Sequence, residues 1–202
     1  MKKILLLVAI TAAMPSFLSA QTDSIAPSAK LDVSVNGKSY SMNEGDTLNV
    51  DGKAIVVRLS EYTTFNYGAL RFDYPKNFAF KFEEDYSYKL WTLDGNDFVI
   101  MYFEFSAKVD VEPIIDGLVK KFGKKNCKLE DRKIKIGAVD LQGTRINVSL
   151  VETKLSQDVY LVKTNDYKSH IVIFQDTKKD DGSDSVEAIR VMNILNKTFT
   201  VK

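Results

Sequence analysis

Cysteine and histidine are almost missing from this chain of 202 residues: there is one of each, Cys127 and His170. A single cysteine cannot form an internal disulfide, so hydrophobic burial must supply the stability. The same shortage argues against a zinc centre, which usually takes several His and Cys ligands. A Ser-His-Asp or Cys-His catalyst would have to use His170, which falls within a strand pattern and reads as a structural histidine. Cys127 has no flanking pattern of a nucleophile, and no Gly-x-Ser-x-Gly elbow is present. No glycine-rich loop that could cradle a phosphate appears. A surplus of one charge is missing as well. The formal net charge is +1, and it becomes −1 without residues 1–20. That balance gives no electrostatic case for nucleic acid or an anionic membrane. An apolar run of about 20 residues, as a transmembrane helix needs, is absent, so no transmembrane anchor is expected.

What is present begins with an export pattern. Lys2 and Lys3 precede the apolar run Ile4 to Ala13, Pro15 and Ser16 break it, and Leu18-Ser19-Ala20 places a small residue at a cut. Residues 1–20 read as a secretory signal peptide of bacterial style, cleaved near Ala20. No cysteine follows Ala20, so the lipid-attachment pattern is missing. The mature protein is expected to be soluble and periplasmic or secreted. Residues 21–30, small and polar with Pro27, read as a flexible linker.

From Leu31 to Val57 short strands alternate with the turn signals Asn36-Gly37, Asn43-Glu44-Gly45-Asp46 and Asp51-Gly52. This block reads as a β-meander within a β-rich extension over 31–68, ahead of a main domain over 69–202. Between Tyr62 and Phe105 lie fifteen of the chain's 22 aromatic residues. Leu70, Phe72 and Tyr74, then Phe78, Phe80 and Phe82, alternate with polar residues as half-buried strands do. Phe98 to Phe105 is apolar on both faces and reads as a central strand. A helix is expected over 111–122, capped by Asp110 and stopped by Gly123. A strand pair follows around Gly137-Ala138. The best-signalled region is the last fifty residues. It reads as a hairpin turning at Asn165-Asp166, an acidic loop from Asp176 to Asp184, a helix over 185–196 opened by Asp184 and Glu187, and a closing strand.

The Phe72-Asp73-Tyr74-Pro75 entry and the Val191-Met-Asn-Ile-Leu-Asn-Lys-Thr-Phe199 close resemble the start and end of PsbP-like domains. That family is named for an extrinsic subunit of the plant oxygen-evolving complex and includes bacterial envelope proteins. The resemblance covers about two thirds of the chain and brings no catalytic residues. It implies an α+β fold, a twisted antiparallel sheet with helices on both faces in an α/β/α sandwich. The two wide apolar helix stripes and the doubly apolar strands lead to the same expectation.

Two resources remain for function. Asp176, Asp180, Asp181 and Asp184 crowd one loop and Glu83, Glu84 and Asp85 another; neither has the spacing of a calcium loop, and both read as solvated turns. No metal and no cofactor is expected. Tyr62, Phe65, Tyr67, Tyr86, Tyr88 and Trp91 fall outside the clear alternation and are the candidate ligand-binding residues. The leading expectation is a non-enzymatic binding or accessory protein with an envelope protein as partner. The alternative is a small-ligand or glycan binder using residues 62–105, and the third reading is a carboxylate-dependent hydrolase.

Overall fold

The computed structural model describes Lys30 to Asn43 and Gly45 to Lys202. The expected signal peptide and, apart from Lys30, the expected linker lie outside those residues. The chain divides into two compact units between Leu59 and Ser60.

The first unit holds two hairpins. β1 (Lys30–Val35) pairs with β2 (Lys38–Asn43), and β3 (Thr47–Val50) pairs with β4 (Lys53–Val56). Each turns through a two-residue loop with both residues at positive φ, Asn36-Gly37 and Asp51-Gly52, the geometry that matches strand twist. The expected meander is corrected here. β2 and β3 do not pair and the two hairpins form separate sheets, with Asn43 and Asp46 bonded to each other between them. Met42 is the one buried apolar side chain among this unit's described residues.

In the second unit a seven-stranded antiparallel sheet runs in the order β10-β11-β12-β13-β9-β8-β7. Its strands are β7 (Ala79–Glu84), β8 (Tyr88–Asp94), β9 (Phe98–Phe105), β10 (Cys127–Ile136), β11 (Val139–Ser149), β12 (Lys154–Val162) and β13 (Ser169–Thr177). A smaller sheet holds β5 (Tyr62–Tyr67), β6 (Leu70–Pro75) and β14 (Thr200–Val201). The helices are α1 (Glu112–Phe122) and α2 (Val186–Thr198).

Side chains alternate along each strand, so the large sheet has two apolar faces. One carries Met101, Phe103, Val159, Ile171 and Ile173, with Ile114, Leu118 and Phe122 of α1 packed against them. The other carries Leu93, Ile100, Tyr102, Tyr160, Val172 and Phe174. Phe65, Leu70 and Phe72 of the small sheet cover it, with Ala188, Val191 and Leu195 of α2 beside them. Burying a large apolar side chain contributes about 1.5–3 kcal/mol, so these two clusters dominate the stability.

This overturns the expected α+β sandwich with helices on both faces. Strands hold 54% of the described residues, and only two α-helices are present among them. The layer assigned to helix is largely the small sheet. β5, placed by its sequence in the extension, pairs with β6 in the second unit.

Local expectations shift too. α1 is capped at Val111 without a side-chain bond, not by Asp110. α2 is capped by Ser185, whose Oγ accepts from the Ala188 amide. Glu187, expected to reach back within the helix, accepts the Asp97 and Phe98 amides instead, at 2.6 and 2.8 Å. Asn165-Asp166 makes no tight turn. The Asp166 carboxylate accepts from the Thr164 hydroxyl, the Lys168 amide and His170, which holds a longer loop between β12 and β13.

Candidate functional site

The structure gathers three of the six candidate aromatics. Phe65 is buried and stacks on Phe72, edge-on to Trp91. Trp91 is only 5% exposed and lies flat on Tyr102, with ring centroids 5.2 Å apart. Tyr67, 46% exposed, covers Trp91 at 5.8 Å and meets Phe80 at 5.7 Å. The other three go elsewhere. Tyr62, at the opposite end of β5, sits under the Arg190 guanidinium. Tyr86 is wholly exposed in the turn between β7 and β8. Tyr88 packs on the other sheet face against Phe103 and Phe105.

Phe80 and Phe82 complete the patch, and the sequence reading had placed both in a half-buried strand. β7 is an edge strand that pairs with β8 alone, and all six of its residues are exposed. The Phe82 ring lies 5.3 Å from Trp91, so Tyr67, Phe80 and Phe82 form an exposed aromatic rim around a buried indole. An edge strand presents unpaired backbone amides and carbonyls, which makes it a template for another strand.

On the same sheet face lies a cleft of about 290 Å³ between the sheet and α2. Four cations line it, Arg132, Lys135, Arg145 and Lys178, with three carboxylates, Asp158, Asp176 and Asp184. Arg145 grips Asp158 with both arms, Nε to Oδ1 at 2.6 Å and a terminal nitrogen to Oδ2 at 2.7 Å. The Asp158 contact raises the Arg145 pKa further, against the effect of burial. Lys178 bridges Asp176, at 2.7 Å, and Asp184, whose carboxyl it holds below the usual range. Burial, with Asp158 beside it, pushes the Tyr160 hydroxyl up, and the nearby Arg132 and Arg145 oppose the shift. Arg132 is different. Its Nε is buried without a hydrogen-bond partner, 4.0 Å from Asp158 Oδ2. Gly143 stands between Arg132 and Tyr160 in the register, and a Cβ there would meet the Val159 carbonyl oxygen and the Tyr160 ring.

A second polar cluster sits at the other end of β13. The Ala69 amide donates to the Tyr102 hydroxyl at 3.0 Å, and that hydroxyl is 2.8 Å from His170 Nδ1. His170 Nε2 is 2.9 Å from Asp166. With the ring proton on Nε2 no donor is idle: Tyr102 donates to Nδ1, and Nε2–H donates to Asp166. Burial pushes the Tyr102 phenol up, and the His170 bond pulls the Asp166 carboxyl down to about 2. Glu104 is largely buried and takes Lys168 at 2.6 Å.

The sequence reading missed the cleft. Of the acidic loop, Asp176 and Asp184 share Lys178, and no group of three or more His, Cys, Asp or Glu residues among the described residues could hold a metal. No helix among them is long and apolar enough to cross a membrane.

No known family profile matches the chain, and no curated protein does. Among solved structures, it is similar to a protein of Bacteroides thetaiotaomicron VPI-5482, at 16% identity and a TM-score of 0.41. The likeness covers 71% of this chain and 49% of that one, so this chain spans about half the length of that protein. It is also similar to LpqN of Mycobacterium tuberculosis, a protein involved in cell envelope biogenesis. There the identity is 13%, the TM-score 0.39, and the coverage 70% of this chain and 90% of that one.

Proposed function

We propose that the chain is a non-enzymatic accessory protein of the bacterial cell envelope, periplasmic or secreted, that binds another envelope protein. The PsbP-like resemblance of Phe72 to Pro75 and Val191 to Phe199 is part of this reading. The observation that carries it is the edge strand β7 with the exposed rings of Tyr67, Phe80 and Phe82 beside it. An extended segment of the partner adds to β7 as a further strand, and its apolar side chains cover those rings. A non-catalytic role is supported by how the reactive groups are held. Each cleft carboxylate faces a cation, whereas a general acid at neutral pH needs a proton retained. His170 is engaged at both nitrogens, and burial raises the Cys127 thiol away from its reactive form.

A crosslinked pull-down of the tagged mature protein from its own envelope, followed by reconstitution with the purified partner, tests this. One dominant partner is expected, retained in high salt. A Phe80→Ser/Phe82→Ser variant should weaken it at least tenfold, while Leu129→Ser on the opposite sheet edge leaves it unchanged. A partner that survives the double variant, or none above background, overturns the reading.

The second reading is glycan binding at the same patch. The half-exposed Tyr67 ring, laid flat over Trp91, is a platform on which a sugar face can stack. Saturable binding of a soluble glycan, lost on Tyr67→Ala, would favour it.

A further inference from the structure

We propose that the cleft between the large sheet and α2 binds a small carboxylic acid with an apolar body, its head on Arg132 and its body along Ile134 and Met192. This goes beyond the protein-binding reading and does not rest on it.

Charge selects the head group. The lining carries one more cation than carboxylates. Asp158 is committed to Arg145, and Asp176 and Asp184 to Lys178. Arg132 keeps a buried Nε with no acceptor. A guanidinium presents two parallel N–H groups that match the two oxygens of a carboxylate. A monoanion balances the cleft. A dianion such as phosphate brings a second charge into a site that already holds three carboxylates. A neutral molecule can accept from Nε but leaves the extra positive charge of the cleft unbalanced.

Shape selects the body. Phe98, Ile134, Phe174 and Met192 line the same cleft. Methionine adapts to irregular apolar groups, as a binding wall requires. A volume of about 290 Å³ holds roughly ten non-hydrogen atoms at about 30 Å³ each. That is the size of a medium-chain or simple aromatic acid.

The probe is hexanoate, titrated into the mature chain with the arginine Nε–H and methionine methyl signals followed by NMR. Saturable shifts at Arg132 and Met192 are expected at millimolar concentration. Acetate, lacking the body, and hexanol, lacking the charge, should each bind at least tenfold more weakly. Arg132→Gln should weaken hexanoate at least tenfold while the amide spectrum of the large sheet is retained. Arg132→Lys should recover part of the affinity and not all, because it restores charge without the fork. Ile134→Ser should weaken hexanoate but not acetate. Three results overturn the proposal: no saturable shift with hexanoate, binding unchanged in Arg132→Gln, or inorganic phosphate binding as tightly as hexanoate.

Discussion

β13 carries a polar group near each end of one face, His170 and Asp176, with Val172 and Phe174 between them. The clusters around these two residues are built from similar parts. Each has a buried tyrosine, Tyr102 or Tyr160, and a glycine pressed against it, Gly68 or Gly143. They differ in closure. Around His170 every donor meets an acceptor, from the Ala69 amide through Tyr102 to Asp166. Around Asp176 and Asp158 the accounts stay open, with Arg132 Nε buried and unpaired beside a cleft. A closed polar cluster fixes a fold, because every member is already satisfied. An open one retains donors that something else can use.

The largest test of that difference strikes the bidentate pair in the open cluster. Asp158→Ala should cost about 3 kcal/mol in urea unfolding, because it strands the largely buried Arg145 charge. A loss under about 1 kcal/mol would mean that Arg145 reaches water unaided, and the two clusters would no longer differ in kind. Next comes the closed cluster. His170→Leu removes the acceptor of a buried phenol and should cost about 2 kcal/mol. Tyr102→Phe should then cost less in this background than in the wild type, since the orphaned hydroxyl goes with it and only the Ala69 amide loses its acceptor; additive losses would show the network to be independent bonds.

The smallest expected effect is acid sensitivity. The Asp166 carboxyl is depressed from 3.8 to about 2 by His170. A depressed carboxylate contributes stability above its ordinary pKa and loses it as the pH falls through the folded value. Wild-type stability should therefore decline between those two values more steeply than that of Asp166→Asn. Parallel pH profiles would assign acid loss to other groups, among them Asp184, which Lys178 lowers in the same direction.

Much of this architecture was legible as local pattern. β9 and β13 are apolar on both faces and lie at the centre of the sheet; Asn36-Gly37 and Asp51-Gly52 turn as their residues require. What could not be read is set by pairing between distant segments. Phe80 and Phe82 alternate identically whether their strand has one neighbour or two, so the exposed edge was invisible. β5 joins β6 instead of the extension because Phe65 finds Phe72 and Trp91, a tertiary choice. Asp158 and Tyr160 alternate with Val159 and Leu161 along β12. Strands on both sides bury them, and only the register of Arg145 against Asp158 reveals an ion pair there. Of the six aromatics, Phe65 and Tyr67 gather around Trp91 from another sheet, which no spacing in the chain encodes.

The small sheet closes late. Thr200 and Val201 pair with Arg71 and Leu70, and the Lys202 amide bonds the Ala69 carbonyl, across more than half the chain. Synthesis runs from the N-terminus, so the small sheet lacks its third strand, and the face bearing Ile100 and Phe174 lacks its helix, until α2 and β14 have been made. Such long-range closure is slow, and it keeps a growing chain open for longer than a helical protein of the same length would stay. On the proposed role, that delay helps a chain to be threaded through a membrane before it folds, and it is also when an apolar-segment binder is most open to stray segments.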